Sequence, residues 1–320
     1  MKREIWIDWA KAVGIVIVVF CHIPQHESFF RTFCCYLQMP LFFFISGYLH
    51  KNQAVFVSSL HKYFRSIVVP YFILQFLNYP YWLFKYITEN GQFANWTDCL
   101  FEPFLNCLIG NPIAGPTWYI CSILLLKLFT DAIYRIPYSD VYIIVTVLLS
   151  FVAGFCINHP PLDHQINYTV LSTINFLLFF FCGYFVKRRC TTFNIGKLPG
   201  LISLMGCLFL IYLETFVEFP NRLLFYVVGL LSVVAFLYLM QRIPMKSTII
   251  EVVSRGTILI LGIHWMFIGT TNFFLEKIFS IQDIYYSAVL SVVLALVFCA
   301  IMYLIILFCA KYCKIILGGR

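Results

Sequence analysis

The chain opens MKREIWIDWAKAVGIVIVVFCH, residues 1–22, an apolar run of membrane length that nonetheless carries Asp8, Lys11 and His22. A central Asp or Lys costs about 2.5–3.5 kcal/mol on membrane-insertion scales, so such side chains face a partner or a cavity rather than lipid. An α-helix advances about 100° per residue. Lys11 and His22, eleven positions apart, therefore fall within about 20° of one another, and Asp8 lies one turn before Lys11 on the same side. The three form one polar stripe, with Lys11 and His22 about 16 Å apart along the axis. That separation excludes direct contact. It suits a long ligand with a charged part near Lys11 and a reactive end near His22.

The rest of the chain agrees with a membrane helix. Of 320 residues, 62% are hydrophobic and 11% charged, and the mean hydropathy is +0.88. A soluble core does not need this much apolar surface. The first 22 residues lack a small-residue cleavage site, so they read as a retained helix and not a signal peptide. The expected fold is an all-α polytopic membrane bundle, a single domain over 1–320 with about ten spans. These fall near 5–22, 36–49, 66–87, 118–134, 141–157, 171–186, 199–213, 223–240, 256–272 and 285–309.

Charge sets the expected orientation. Most of the 22 basic residues fall on one side of this layout. They include Lys2, Arg3, Lys51, Lys62, Arg65, Arg135, the run Lys187 to Arg189, Lys197, Arg242, Lys246, Arg255, Lys311, Lys314 and Arg320, whereas the opposite loops hold Arg31, Lys85, Arg222 and Lys277. The positive-inside rule then places both termini in the cytoplasm. The net charge of +8 reflects this asymmetry and does not point to nucleic acid. The thirteen cysteines are scattered without metal-ligand spacing, so no metal is expected, and Cys34, Cys35, Cys99 and Cys107 fall in outward segments. Two sequons, at Asn95 and Asn167, also face outward, and 89–117 is a long outward segment with room for a short helix of its own.

Other stretches carry candidate residues. In LQMPLFFFISGYLH, residues 37–50, Met39-Pro40 interrupts a helix, and Ser46 with Gly47 permits close helix approach. HKYFRSIVVPY, residues 61–71, puts Lys62 and Arg65 at a cytoplasmic mouth ahead of Pro70 and Tyr71. Such residues set topology or hold a phosphate-bearing ligand. GPTWYICSILLLKLF begins the fourth span, with Trp118 at the outer interface or on a sugar ring, and Lys127 mid-span in need of a partner. FFFCGYFVKRR reads as a close-packed helix end with a basic anchor. His264 stands in the apolar run TILILGIHWMF.

Together these pieces resemble the membrane acyltransferase-3 family, in particular its fucose-4-O-acetylase-like branch. IDWAKAVGIVIVVFCH matches the branch's first helix, and the family's basic-x10-His motif falls on Lys11 and His22. LQMPLFFFISGYLH matches its second helix. The later family patterns appear as Arg65 to Tyr71, Trp118 to Ile123, and Leu261 to His264. The match spans nearly the whole chain in order and is strongest over 5–49. Ala12 and Cys21 replace glycines, and Gln38 replaces a histidine, which keeps a hydrogen-bonding group and loses a titrating one.

The resemblance implies transfer of an acyl group, usually acetyl, from cytoplasmic acetyl-CoA to a sugar hydroxyl of an envelope or exported polysaccharide, or of its lipid-linked precursor, in a bacterial inner membrane. His22 would be the general base, with Asp8 holding Lys11. Lys11, Lys62, Arg65, Tyr71 and Ser46 would bind the donor, and Trp118, Gln38 and His264 the acceptor. The partners would be acyl-CoA, a glycan or lipid-linked glycan, and membrane lipid. Succinyl transfer on the same fold, a transporter or flippase using the intramembrane ions as a relay, and a structural role in a biosynthetic complex are the alternatives.

Overall fold

The computed structural model describes residues 4–52, 55–91, 95–157, 168–216, 222–279 and 284–319. Lys2, Arg3, Arg320 and the sequon residue Asn167 lie outside them. The described residues form an all-α polytopic membrane bundle, with one isolated β-bridge. Its helices are α1 (Ile5–His22), α2 (Phe29–Tyr48), α3 (Phe56–Tyr63), α4 (Val69–Asn90), α5 (Trp96–Leu100), α6 (Glu102–Leu108) and α7 (Trp118–Ile133). They continue as α8 (Ser139–Ile157), α9 (Tyr168–Arg189), α10 (Lys197–Phe216), α11 (Arg222–Gln241), α12 (Thr248–Arg255), α13 (Thr257–Phe279) and α14 (Ala288–Tyr312).

Among the described residues, nine helices are long and apolar enough to cross a membrane, and the stretch Ser139–Ala153 of α8 is a shorter apolar helix at the position of the fifth expected span. Several expected boundaries move by a few residues, and two of these shifts have a visible local cause. The second span begins at Phe29, because the Ser28 side chain caps it by accepting the Arg31 backbone N–H at 3.2 Å. The helix then runs unbroken through Pro40. The third span belongs to a helical stretch of 34 residues, Phe56–Glu89, in which Phe64–Val68 adopts a wider π turn. Pro70 has no N–H to offer the Ser66 carbonyl one turn earlier, and widening the preceding turn accommodates its ring.

The chain groups into two compact units. The first comprises Met1–His50, Leu178–Thr257 and Tyr285–Ile306. Its core packs Ile7 and Ala10 of α1, Leu37, Leu41, Phe44 and Ile45 of α2, and Val233, Phe236, Leu237 and Met240 of α11. Lipid tails are as apolar as these side chains, so the drive for their association is close packing rather than escape from water. The backbones of α2 and α9 approach closely. A Cβ at Gly47 would lie 2.7 Å from the Phe180 carbonyl carbon, and one at Gly183 would lie 2.9 Å from that of Phe44. The two backbones meet at a reciprocal pair of glycines, and the expected close approach at Gly47 and at FFFCGYF is realised here. Cys207 and Ile211 of α10 pack on Val228 of α11 in a second cluster.

The second unit comprises Lys51–Leu177, Ile258–Ile284 and Leu307–Arg320. Here α4 and α13 run side by side. The Asn78 side-chain amide donates to the Gly262 carbonyl at 2.8 Å, and Gly262 leaves room for Leu74. The segment between α4 and α7 does not lie beyond the end of α4 but folds back along it. Tyr79 Oη donates to the Cys99 carbonyl at 2.8 Å and Tyr71 Oη to the Cys107 carbonyl at 3.0 Å. Gln75 accepts the Ala114 N–H at 3.0 Å and donates to Thr117 Oγ1 at 2.9 Å. Gln75 is fifteen residues short of the end of α4 at Asn90, so α7 begins about 22 Å back from that end. Irregular backbone beside an apolar helix must find its hydrogen bonds within the protein. The polar side chains of α4 supply them.

Candidate functional site

The polar stripe of α1 is held by α12. Lys11 is 9% exposed, and its ammonium donates to the backbone carbonyl of Ser254. The last carbonyls of a helix lack intrahelical partners and form the negative end of its dipole, which makes the end of α12 a fitting acceptor for a buried cation. The Ser254 hydroxyl in turn donates to Asp8 Oδ1 at 2.8 Å. One residue therefore contacts both ions of the stripe. Trp9 Nε1 donates to the Met245 carbonyl at 2.9 Å, fixing the lead-in to α12 on the same helix. Locally, α12 starts at Ser247, whose hydroxyl accepts the Ile250 N–H, and ends at Gly256, where the absence of a side chain admits Ile306. Ser254 was missed from sequence. The available signal was the short capped helix itself, which the span layout passed over.

His22 closes the other end of α1. Its Nδ1 lies 2.8 Å from the Val18 carbonyl, one turn back. A carbonyl only accepts, so Nδ1 carries the proton, and in the neutral ring Nε2 carries the lone pair. That is the form a general base needs. The ring is half-buried, and after it Arg31, in the first turn of α2, pairs with Glu27 of the preceding loop. At the start of α1, Glu4 gathers donors. Lys187 Nζ reaches it at 2.7 Å, and Tyr48 Oη and Trp6 Nε1 each at 2.9 Å. Burial works against its charge, but these hydrogen bonds outweigh burial and hold the carboxyl below its ordinary value. Lys187 was read from sequence only as an anchor, and Glu4 was not singled out.

The remaining expected residues fall in two groups. On α2, Ser46 is half-buried next to the Gly47 crossing, and the buried Gln38 Oε1 accepts no hydrogen bond among the described residues. In the second unit, Lys62 and Arg65 are exposed, Arg65 within the π turn. Lys62 and Lys127 both approach the Tyr63 ring, with Nζ 5.9 Å and 6.0 Å from its centroid. The Tyr63 hydroxyl donates to Asp131 Oδ2 at 2.7 Å, and Arg135 donates to the Asp131 carbonyl. Asp131, fully buried on α7 one turn after Lys127, was also missed. This basic cluster is able to hold phosphate. The Tyr71 hydroxyl is engaged by Cys107, Trp118 stacks on Phe176 at 5.9 Å, and the buried His264 donates from Nδ1 to the Ile260 carbonyl at 3.1 Å. The structure thus joins Asp8 with Lys11 through Ser254, and Lys62 with Lys127 around Tyr63.

A family model described as an acyltransferase domain matches residues 4–310. Comparison with curated proteins and with solved structures yields no match.

Proposed function

The chain belongs to the membrane acyltransferase-3 family, and from that premise we propose that this integral, multi-pass membrane acyltransferase moves an acetyl group from acetyl-CoA to a sugar hydroxyl. The acceptor is an envelope or exported polysaccharide, or its lipid-linked precursor, in a bacterial inner membrane, as in the fucose-4-O-acetylase-like branch. His22 is the base. Its Nε2 takes the proton from the sugar hydroxyl as the oxygen attacks the thioester carbonyl. The tetrahedral adduct then collapses, the carbon–sulfur bond breaks, and the departing CoA sulfur takes the proton from His22. Lys11, steadied by Asp8 and Ser254, interacts with the donor. The observation that carries this reading is the Nδ1 bond from His22 to the Val18 carbonyl, which leaves Nε2 as the basic nitrogen.

The test supplies radiolabelled acetyl-CoA and an envelope glycan extract to purified protein. Removing a general base typically costs about 10²–10⁴-fold in rate. Label transfer should fall by that amount in His22→Ala, and by a smaller factor in Ser254→Ala, which loses only the bond to Asp8. Full transfer by a folded His22→Ala variant removes His22 from the chemistry. Transfer of succinyl but not acetyl reassigns the donor. No turnover of either thioester by the wild type refutes the proposal.

A further inference from the structure

The loop that follows His22 holds a buried group that the chemistry above does not use. Gln25 is 4% exposed. Its Nε2 donates to the Phe20 carbonyl at 2.8 Å, while its buried Oε1 meets no hydrogen-bond donor among the described residues. Exchanging the amide's two ends does not remedy this, because the oxygen would then face the Phe20 carbonyl oxygen. A buried amide oxygen without a donor is costly, and native proteins place such atoms where something else completes them. The two ends of an amide are about 2.3 Å apart, so Oε1 lies within about 5 Å of the Phe20 carbonyl, on the turn of α1 that carries His22.

The same loop is pinned to the segment ahead of α14. Gln25 and Tyr286 form the isolated bridge, with the Tyr286 N–H donating to the Pro24 carbonyl at 2.9 Å. Beside it the His26 and Tyr285 rings stack, 4.8 Å between centroids and 15° between planes, with Tyr285 57% exposed. A buried hydrogen-bond acceptor and an exposed aromatic ring brought together by one loop contact match the chemistry of a sugar. A hydroxyl donates to the oxygen, and the C–H face, slightly positive, rests on the electron-rich ring.

We infer that Gln25 and Tyr285 form the sugar subsite of the acceptor, with Gln25 Oε1 receiving a hydroxyl adjacent to the one that His22 deprotonates. This rests on the acyltransferase reading. Gln25 selects acceptors with a second hydroxyl in reach, and Tyr285 supplies the platform.

The test measures two rates on one preparation: transfer of radiolabelled acetyl to a titrated envelope glycan extract, and hydrolysis of acetyl-CoA without glycan. Variants are Gln25→Met and, at an exposed position, Tyr285→Ala. Losing one neutral hydrogen bond corresponds to about a three- to tenfold rise in half-saturating glycan. The expected result is a rise of that size in both variants that exceeds any change in hydrolysis. Wild-type half-saturation in both variants overturns the subsite while leaving the acyltransferase standing. Parallel loss of hydrolysis and transfer also overturns it, making Gln25 a prop for the end of α1. A wild-type protein inert toward acetyl- and succinyl-CoA overturns the acyltransferase reading and the subsite with it.

Discussion

Replacing Gly183 with alanine should loosen the first unit far more than the same change at Gly14. A Cβ at Gly183 would overlap the Phe44 carbonyl oxygen and lie 2.9 Å from both the Phe44 carbonyl carbon and the Tyr48 nitrogen. Ordinary contact begins at 3.4 Å. The helices α2 and α9 must therefore part by at least 0.5 Å, and further for the oxygen. Every obstructing atom is backbone, so no side-chain rotation relieves it. A gap of about 0.5–1 Å forfeits a quarter to a half of the dispersion energy across a seam, and overpacking of this kind costs about 1–3 kcal/mol. Alanine returns about 0.5–1 kcal/mol through its better helix propensity. The net expectation is a loss of about 1–2 kcal/mol, a factor of roughly 5–30 in the unfolding equilibrium. At Gly14 the obstruction is 2.9 Å from Leu41 Cδ2, the far end of a flexible side chain, and the two effects nearly cancel. Thermal unfolding in detergent, followed with a thiol-reactive dye, suits a protein whose Cys21, Cys34, Cys207 and Cys299 are buried. Equal midpoints for Gly183→Ala and Gly14→Ala would refute the backbone-contact reasoning.

Two further predictions use other parts of the structure. Because the Glu4 carboxyl is held below its ordinary value, its contribution to stability is complete above the unfolded carboxyl range of about 4.3 and is lost as pH falls through the lower folded value. Wild-type unfolding temperature should therefore drop on acidification more than that of Glu4→Gln, and parallel pH profiles would count against the Lys187–Glu4–Tyr48 cluster as the cause. Gln75→Leu deprives Ala114 N–H and Thr117 of their shared partner, at a cost of about 1–3 kcal/mol. Burial keeps the Cys107 thiol above its ordinary value and out of solvent, and its alkylation should quicken by about tenfold or more as the fold-back segment opens. An unchanged alkylation rate would mean that Gln75 does not hold that segment.

The polar stripe of α1 was legible because helical spacing is local arithmetic, and eleven residues between Lys11 and His22 place them on one side whatever surrounds them. Close packing at Gly47 and Gly183 was legible for a similar reason, since a small residue in an apolar helix has few other uses. Lys127 was recognised as needing a partner, but Tyr63 was not identified as lying under it. Segment 89–117 reads as a long outward segment with room for a short helix, and α5 and α6 lie there, but its composition does not reveal that Tyr71, Gln75 and Tyr79 offer it hydrogen bonds along α4.

The amino-acid sequence by itself determined that this chain is a membrane helix bundle, where most of its helices lie, and that Asp8, Lys11 and His22 share a face of the first. Those properties depend on hydropathy and periodicity over some twenty residues. Only the tertiary structure decided that Lys11 meets the Ser254 carbonyl, 243 positions away, that the Ser254 hydroxyl meets Asp8, and that Gln25, in the loop after α1, carries an uncompensated buried oxygen. Hydrogen bonds are directional and short, so the partner of a buried polar group is set by where helix ends come to rest. A serine one residue before the end of a short helix looks the same in sequence whether or not an acid and a base wait there.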